Sequence, residues 1–164
     1  MILSKFSKKN KKSVKFWVGI STILLFFGVV FMLLSGDKVL TSGIGRTEKV
    51  RVGESVVSVD VAMTKEAKSQ GLSGRKSLAS DEGMLFVFEK PDKYHFWMKD
   101  MLFPIDIIWI GEDFKVTYIQ KGATPESYPQ IFGGEVDSMY VLEVEAGFSE
   151  KNNLKVGDSL EFLR

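Results

Sequence analysis

The fold of this chain is constrained most by the apolar and aromatic stretch between Glu82 and Ile110, EGMLFVFEKPDKYHFWMKDMLFPIDIIWI. Five consecutive apolar residues, 84–88, predict a strand that is buried on both faces. Residues 95–99 and 105–110 each divide into two sets of alternating side chains, which is typical of strands with two different faces. We therefore expect three consecutive strands that form the centre of a small β-rich domain.

Strand patterns continue on both sides of this stretch. Val57, Val59 and Val61 alternate with polar residues, as in a strand that is buried on one face. Further strands are predicted near residues 49–52, 114–120, 140–144 and 160–163. The expected fold is therefore mainly β with two short helices (α+β), a compact antiparallel sandwich-like or barrel-like domain that follows one N-terminal transmembrane helix.

The two short helices are placed by the residues at their ends. Thr64 is a good N-cap, and Gly71 stands where the left-handed residue after a helix belongs, so the residues between them are predicted to be helical. Ser149 is expected to cap a single helical turn over residues 150–154. Residues 121–135 contain two prolines and three glycines and predict a long loop, which is usually functional or flexible.

A membrane anchor is predicted from the uncharged segment Phe16 to Leu34, which is 19 residues long. A helix of that length spans roughly 28 Å, close to the hydrocarbon thickness of a bilayer. Six lysines precede the segment, and a basic cluster beside a span is retained in the cytoplasm. We therefore expect a single-pass protein of the cell membrane with a basic cytoplasmic tail (1–15), an anchor (16–34), a linker (35–49) and an extracytoplasmic β-rich domain (50–164).

A cleaved signal peptide is the alternative to this anchor. Signal peptides have a shorter apolar region, which is followed by small residues at the cleavage site. Here the apolar segment is longer. Cleavage after the nearest small residues, Ser35 or Gly36, would place Leu33 or Leu34 at position −3, where a small residue is needed. The sequence therefore favours an uncleaved anchor, with the lipid bilayer as its first partner.

Composition excludes several classes of function. The chain has no cysteine and one histidine, which excludes disulfides, thiolate nucleophiles and cysteine-based or histidine-rich metal sites within one chain. Without the six N-terminal lysines, 16 basic and 21 acidic residues remain, a net charge of about −5. Because affinity for nucleic acid comes mainly from neutralising phosphates, we expect no nucleic-acid partner. We also expect no metal and no cofactor.

A set of short motifs occurs in one order along the predicted domain. They are Ala62 with Thr64, Gln70-Gly71-Leu72 with Arg75, Glu82-Gly83-Met84-Leu85-Phe86, Phe96-Trp97-Met98-Lys99, Pro104-Ile105-Asp106-Ile107-Ile108, Val141-Leu142-Glu143, Ala146-Gly147 and Gly157-Asp158. In this order the motifs resemble the domain-of-unknown-function family 192, also called uncharacterised protein family 0127. The resemblance covers about residues 50–163.

The resemblance implies a compact, mostly antiparallel β-domain with short helices, often secreted or anchored at its N-terminus. It implies no established biochemical activity. The sequence departs from the family pattern at two places: Ser73 stands where the family usually has methionine, and Asp100-Met101 stands where it usually has Asn-Thr. If those residues contribute to a binding surface in the family, that surface differs in this chain.

Arg75 is the first candidate ligand-binding residue, because a guanidinium group can offer a two-pronged fork to a carboxylate or phosphate. The structural alternative is an ion pair with Asp106, Glu82 or Glu143 that ties the loop to the strands. We favour the ion pair, since arginine is often used for partly buried pairs. Glu82 and Glu143 are accordingly candidate structural carboxylates.

Asp106 is predicted to share a strand face with two isoleucines, so it is a carboxylate at the edge of an apolar surface and a candidate ligand-binding residue. Together with Glu82 it forms the carboxylate pair that a hydrolase would use as general acid and base. The structural alternative, in which each carboxylate is paired or bonds a turn, is favoured. No serine or cysteine motif supports a catalytic triad.

His95, Trp97 and Lys99 complete the candidate binding set. They share one face of a predicted strand, while Phe96 and Met98 occupy the other face. An exposed tryptophan beside polar groups suits sugar stacking or a protein contact. In the alternative, both faces are covered and Trp97 belongs to the core.

Three functions are consistent with these observations. The first is a membrane-anchored extracytoplasmic binding domain for an envelope glycan, peptide or protein. The second is a hydrolase of envelope polymers that uses Asp106 and Glu82, and the third is a structural partner in an envelope assembly. Because the sequence contains no recognisable catalytic set, the binding domain is favoured over the hydrolase.

Overall fold

The computed structural model describes residues 47–163. The predicted cytoplasmic tail, the anchor over 16–34 and nearly all of the linker lie outside the described residues. Within residues 47–163, no helix has the length and apolar character needed to cross a bilayer.

The described part of the chain is mainly β with two short helices, as predicted. Its elements are β1 Glu48–Val52, β2 Ser55–Ala62, α1 Lys65–Gln70, β3 Glu82–Asp92, β4 His95–Trp97, β5 Ile105–Ile110, β6 Val116–Ala123, β7 Ile131–Gly133, β8 Ser138–Glu145, α2 Phe148–Lys151 and β9 Leu160–Leu163. A short 3-10 turn, Pro125–Ser127, lies between β6 and β7.

Seven strands form one curled sheet in the order β6-β5-β8-β3-β2-β1-β9, and β4 pairs with β7 in a separate two-stranded ribbon. Neighbouring strands are antiparallel except β2 and β3, which are parallel. A parallel pair requires a crossover connection, and the segment that contains α1 provides it. The antiparallel arrangement that we expected therefore holds at every pair of neighbouring strands except this one.

The three strands predicted between Glu82 and Ile110 are present, but they are not neighbours. β3 and β5 lie on either side of β8 in the middle of the sheet, whereas β4 belongs to the ribbon. The ribbon's other strand, β7, lies within residues 121–135, which were predicted to be a loop. That prediction is wrong at both ends of the segment, because β6 extends to Ala123.

The sheet curls until its two edges meet at one end. The Val116 N–H donates to the Asp158 carbonyl at 2.8 Å, and the Leu160 N–H donates to the Phe114 carbonyl at 2.8 Å. These bonds join the start of β6 to the start of β9 and give the domain the form of a half-barrel.

Each face of the curled sheet carries its own apolar cluster. On one face, Leu85, Ile108 and Leu142 pack with the valines of β1 and β2. On the other face, Phe86 and Trp109 pack beneath α1 and the β4–β7 ribbon. The alternation along β5 was predicted correctly, and it decides which side of the sheet each polar residue faces.

The ends of the helices agree in part with prediction. The Thr64 hydroxyl accepts a hydrogen bond from the Ala67 N–H at 3.2 Å, and Gly71 follows α1 with a φ of +52°. Ser149 does not cap α2, because that helix begins at Phe148, two residues earlier than predicted, and Gly147 is its N-cap. The Ser149 N–H donates instead to Asp106.

Candidate functional site

A cavity of about 280 Å³ opens between α1, β3, β4 and β8. The C-terminal half of α1 and the residues that follow it form one wall. The opposite wall consists of aromatic side chains from β3 and β4 and the turn between them: Phe86, Phe88, Tyr94, Phe96 and Trp97. His95, Met101 and Glu143 complete the lining.

The aromatic rings of this wall support one another. Phe88 and Tyr94 stack with their ring centroids 3.5 Å apart and their planes within 12°. Phe86 and Phe96 meet edge to face at 4.9 Å. The backbone carbonyl of Tyr94 accepts a hydrogen bond from the buried Trp109 indole at 2.9 Å, which fixes the turn that carries Tyr94. The wall is therefore held in place before any ligand arrives.

Glu143 lies on β8 and faces the cavity from the sheet side. Its side chain is surrounded by protein, with the residue only 5% exposed. Among residues 47–163 its Oε2 atom is buried and has no hydrogen-bond partner. Burial raises the pKa of this carboxyl from 4.5 to about 8, and the positive charge of Arg75 acts in the opposite direction. At neutral pH the empty cavity therefore contains a mostly protonated carboxyl group.

Two of the predicted site residues, His95 and Trp97, line this cavity. Trp97 is 54% exposed, so the surface alternative holds for it rather than the core alternative. Trp97 and Lys99 also line a neighbouring depression of about 230 Å³. The strand alternation correctly separated the exposed residues His95, Trp97 and Lys99 from buried Met98.

The departures from the family pattern reach this second depression through Ser73 and Asp100, while Met101 lines the aromatic cavity. The Ser73 hydroxyl donates to the Lys99 carbonyl at 2.9 Å, and the Gly74 N–H donates to the Asp100 carbonyl at 2.9 Å. Asp100 adopts a left-handed backbone conformation with a φ of +56°. The two substituted segments therefore contact each other at the rim beside Trp97.

Arg75 does not line the aromatic cavity. Its Nη2 lies 2.7 Å from Oδ2 of Asp60 on β2, so the predicted ion pair is present with a different partner. Arg75 and Asp60 line a separate small depression of about 100 Å³, and Glu82 lines it too. Glu82 does not pair with Arg75, because its Oε2 accepts a hydrogen bond from the Ala79 N–H at 3.3 Å. The expectation that Arg75 pairs with Asp106, Glu82 or Glu143 is therefore wrong, although its charge still acts on Glu143.

Replacing Arg75 by alanine is expected to lower the free energy of unfolding by about 1 kcal/mol. The two side chains are 32% and 28% exposed, so solvent weakens their attraction. Urea unfolding of Arg75→Ala, Asp60→Ala and the double variant would give a coupling energy of about 0.5–1 kcal/mol. The more exposed Arg51–Glu161 pair provides a matched control with a smaller coupling. A coupling above about 2 kcal/mol would show that the Arg75 pair behaves as a buried one.

Asp106 lies away from the cavity, buried on the other face of the sheet. Its carboxylate accepts three backbone hydrogen bonds, from Gly122 at 2.8 Å, Gly147 at 3.2 Å and Ser149 at 2.9 Å. Both of its oxygens are therefore occupied by the end of β6 and the start of α2. In this arrangement Asp106 connects elements of the fold, and the structure does not bring it together with Trp97 and His95.

The register of the strands also separates Asp106 from Glu82. Gly83 and Asp106 are both paired with Val144 on β8, so all three residues face the same side of the sheet. Glu82 precedes Gly83 and therefore faces the opposite side. The two carboxylates cannot act on one glycosidic bond across the sheet, so the geometry does not support them as an acid–base pair.

Sequence reasoning named Glu143 only as a structural carboxylate, and it did not place Phe88 or Tyr94 at the site. A signal for Glu143 was present, because it is the one charged residue in the apolar run from Met139 to Val144. No comparable signal existed for the aromatic wall, which is assembled from residues on different strands. Among residues 47–163 no group of acidic and histidine side chains is arranged to hold a metal ion.

Solved structures share the fold of this domain. The chain is 31% identical to a candidate transcription regulator from Sinorhizobium meliloti 1021, with a TM-score of 0.68, over 71% of this chain and 94% of that one. It is also 31% identical to a protein of unknown function from Novosphingobium aromaticivorans DSM 12444, with a TM-score of 0.66, over 69% of this chain and 83% of that one. The match covers 94% of the Sinorhizobium chain, so that solved protein consists almost entirely of this domain.

The family assignment rests on the same part of the chain. No curated protein matches it. A family model, DUF192, described as Uncharacterized ACR, matches residues 48–162, which include the cavity and the whole sheet except the last residue of β9. The chain therefore belongs to the DUF192 family.

Proposed function

We propose that this protein is a membrane-anchored extracytoplasmic binding domain whose ligand enters the aromatic cavity beside α1. The observation that carries the proposal is the buried carboxyl of Glu143, which faces a preformed cavity and has no hydrogen-bond partner within residues 47–163. The uncharged segment 16–34 and the six lysines before it support the anchored topology.

An unpartnered buried carboxyl is costly to the fold. Its burial penalises the charged form, and the protonated form still lacks a hydrogen bond that water would provide. Groups with strongly shifted pKa values in clefts are frequent at functional sites, because the same burial makes them respond to a ligand. Here the costly group is a buried residue that lines a cavity, which favours a role in binding.

The size of the cavity limits the ligand. Typical sites for drug-sized molecules begin at about 300 Å³, and this cavity has about 280 Å³. It therefore suits a small molecule, or a single side chain or head group of a larger envelope component. Trp97, at the mouth, lies 6.2 Å from the Tyr128 ring and pairs across the ribbon with the exposed Ile131. These residues would contact whatever part of the ligand remains outside.

Replacing Trp97 by alanine is expected to weaken ligand binding at least tenfold while changing the free energy of unfolding by less than about 1 kcal/mol, because the side chain is half-exposed. The measurement is a fragment screen by amide NMR on Ser42–Arg164, the compact unit that contains the domain. Hits should shift the amides of β3, β4 and α1.

Phe162→Ala is the matched control for this substitution, since Phe162 is an aromatic residue of similar exposure that lies outside the cavity. It should retain the binding of every hit. Hits that map to other surfaces, or that bind Trp97→Ala as they bind the original chain, would overturn the proposal.

A second candidate function is contact with another envelope protein. The exposed apolar group formed by Trp97, Tyr128 and Ile131 favours it, because exposed clusters of this kind often mark interaction sites. In that case Ile131→Asp would abolish partner recovery by crosslinking in membranes but leave fragment binding in the cavity unchanged. If Ile131→Asp lost both partner recovery and fragment binding, the exposed apolar group would belong to the binding site of the cavity ligand.

A further inference from the structure

The chemistry of the cavity also indicates what kind of ligand it takes. We infer that the ligand presents a small organic cation, an alkylammonium group, which lies among the aromatic rings and pairs with the Glu143 carboxylate. This inference rests on the proposed function, because it names the ligand class of the same cavity.

The first argument is the floor of the cavity. Glu143 offers a carboxyl group, and Gly71 beside it has no side chain: a Cβ at that position would be 4.0 Å from Oε2. Arg75, whose charge acts on Glu143, pairs with Asp60. The ammonium group of Lys68, which lines the cavity, lies over the Phe88 ring. Within the described part of the chain, no cation therefore satisfies Glu143, and the position is open to one from a ligand.

The second argument is the aromatic wall. The faces of aromatic rings are negative, and they attract ammonium groups held within about 6 Å of the ring centroid. Lys68 already makes one such contact, with its Nζ 4.6 Å from the centroid of Phe88. Several rings with one carboxylate form the usual environment for alkylated ammonium ligands, because the rings tolerate the alkyl groups and the carboxylate provides the counter-charge.

Other ligand charges fit less well. An anion would place a second negative charge beside Glu143 whenever that carboxyl ionises, and it would meet the negative faces of the rings. A neutral apolar ligand would fill the space but would leave Oε2 without a partner, at the full cost of a buried polar group. Only a cation both satisfies the carboxylate and uses the rings.

Binding of a cation should be coupled to release of a proton. Burial raises the pKa of Glu143 to about 8, so at pH 7 about nine tenths of the empty sites are protonated, and a cationic ligand must displace that proton to the solvent. The other titratable groups that face the site are Lys68 on α1 and Tyr94 and His95 at β4, and Arg75 acts through its charge. Affinity should rise about tenfold between pH 7 and pH 9.

The test compares two probes of the same shape, choline and its uncharged counterpart 3,3-dimethyl-1-butanol, with n-butylammonium as a second cation. Calorimetry on Ser42–Arg164 in buffers of different ionisation enthalpy measures affinity and proton release together. We expect a cation to bind at least tenfold more tightly than the alcohol, with close to one proton released at pH 7. Glu143→Gln should lose this preference, the proton release and the pH dependence.

Glu145→Gln is the matched control, because Glu145 lies on the same strand but is exposed and outside the cavity. It should behave as the original chain does. Equal binding of choline and the alcohol would overturn the cation inference and leave the cavity as a binding site. Failure of both cations to bind would also overturn it, while the fragment screen decides separately whether the cavity binds anything. Cation binding that persists in Glu143→Gln would reject the role of the carboxylate.

Discussion

Replacing Asp106 by alanine is expected to lower the free energy of unfolding by about 3–5 kcal/mol, the largest loss among the substitutions considered. The carboxylate is fully buried and accepts hydrogen bonds from three backbone N–H groups. Alanine would leave all three donors without a partner in the protein interior, and each such donor costs about 1–3 kcal/mol. Urea unfolding at pH 7 measures the change.

Asparagine at the same position separates charge from shape. Asp106→Asn keeps one oxygen for Gly122 and Gly147, but its amide group would then oppose the Ser149 N–H, so we expect a loss of about 2 kcal/mol. Asp137→Ala, at an exposed carboxylate, should change the free energy of unfolding by no more than about 0.5 kcal/mol. A loss below about 1 kcal/mol in Asp106→Ala would mean that the three bonds do not stabilise the fold.

Replacing Glu143 by glutamine is expected to stabilise the domain, and the gain should grow with pH. Burial raises the pKa of Glu143 from 4.5 to about 8 in the folded state. Below pH 4.5 the carboxyl is protonated in both the folded and the unfolded chain, so its ionisation does not affect stability. Between pH 4.5 and 8 only the unfolded chain ionises, which favours unfolding by about 3 kcal/mol at pH 7.

Urea unfolding of both proteins at pH 5, 6, 7 and 8 measures this gain. The difference between Glu143→Gln and the original chain should be small at pH 5 and should increase by about 1 kcal/mol for each pH unit. Glu145→Gln, an exposed change on the same strand, should show no such increase. A difference that stays constant across the range would mean that Glu143 ionises normally in the folded protein.

These two carboxylates show how differently buried acids can be used. Asp106 has backbone donors on both oxygens, so its burial is compensated within the fold. Glu143 has a buried oxygen without a partner in residues 47–163, so its burial is not compensated. A substitution that stabilises a protein and removes binding at the same time is the expected signature of a functional group kept at a cost to stability.

The parts of the fold that depend on local pattern were predictable. The alternating valines of β2, the apolar run of β3 and the N-cap at Thr64 all report their own secondary structure, because burial on one face and a capping hydroxyl are encoded within a few residues. The pairing of β4 with β7 was not predictable in this way. Each strand has three residues, and β7 lies among turn-forming residues.

In the candidate site, too, local features were predictable and contacts between distant elements were not. Alternation along 95–99 correctly separated exposed Trp97 from buried Met98, since the direction of a side chain on a strand is a local property. Arg75 pairs with Asp60 on β2, and β2 lies parallel to β3 in the sheet. No local sequence pattern predicts that two strands are neighbours, so the partner of Arg75 could not be predicted. The cavity in front of Glu143 likewise depends on α1 packing over a sheet formed by distant strands.

The pairing of β1 with β9 has a consequence for biosynthesis. Arg51 and Glu161, which face each other across these strands, are 110 residues apart in sequence. During translation, β1 and β2 can form their hairpin early, but the outer side of β1 stays without a partner until β9 has left the ribosome. A nascent chain therefore carries an open, hydrogen-bonding strand edge while the 110 residues from Arg51 to Glu161 are synthesised, and such an edge can pair with another chain.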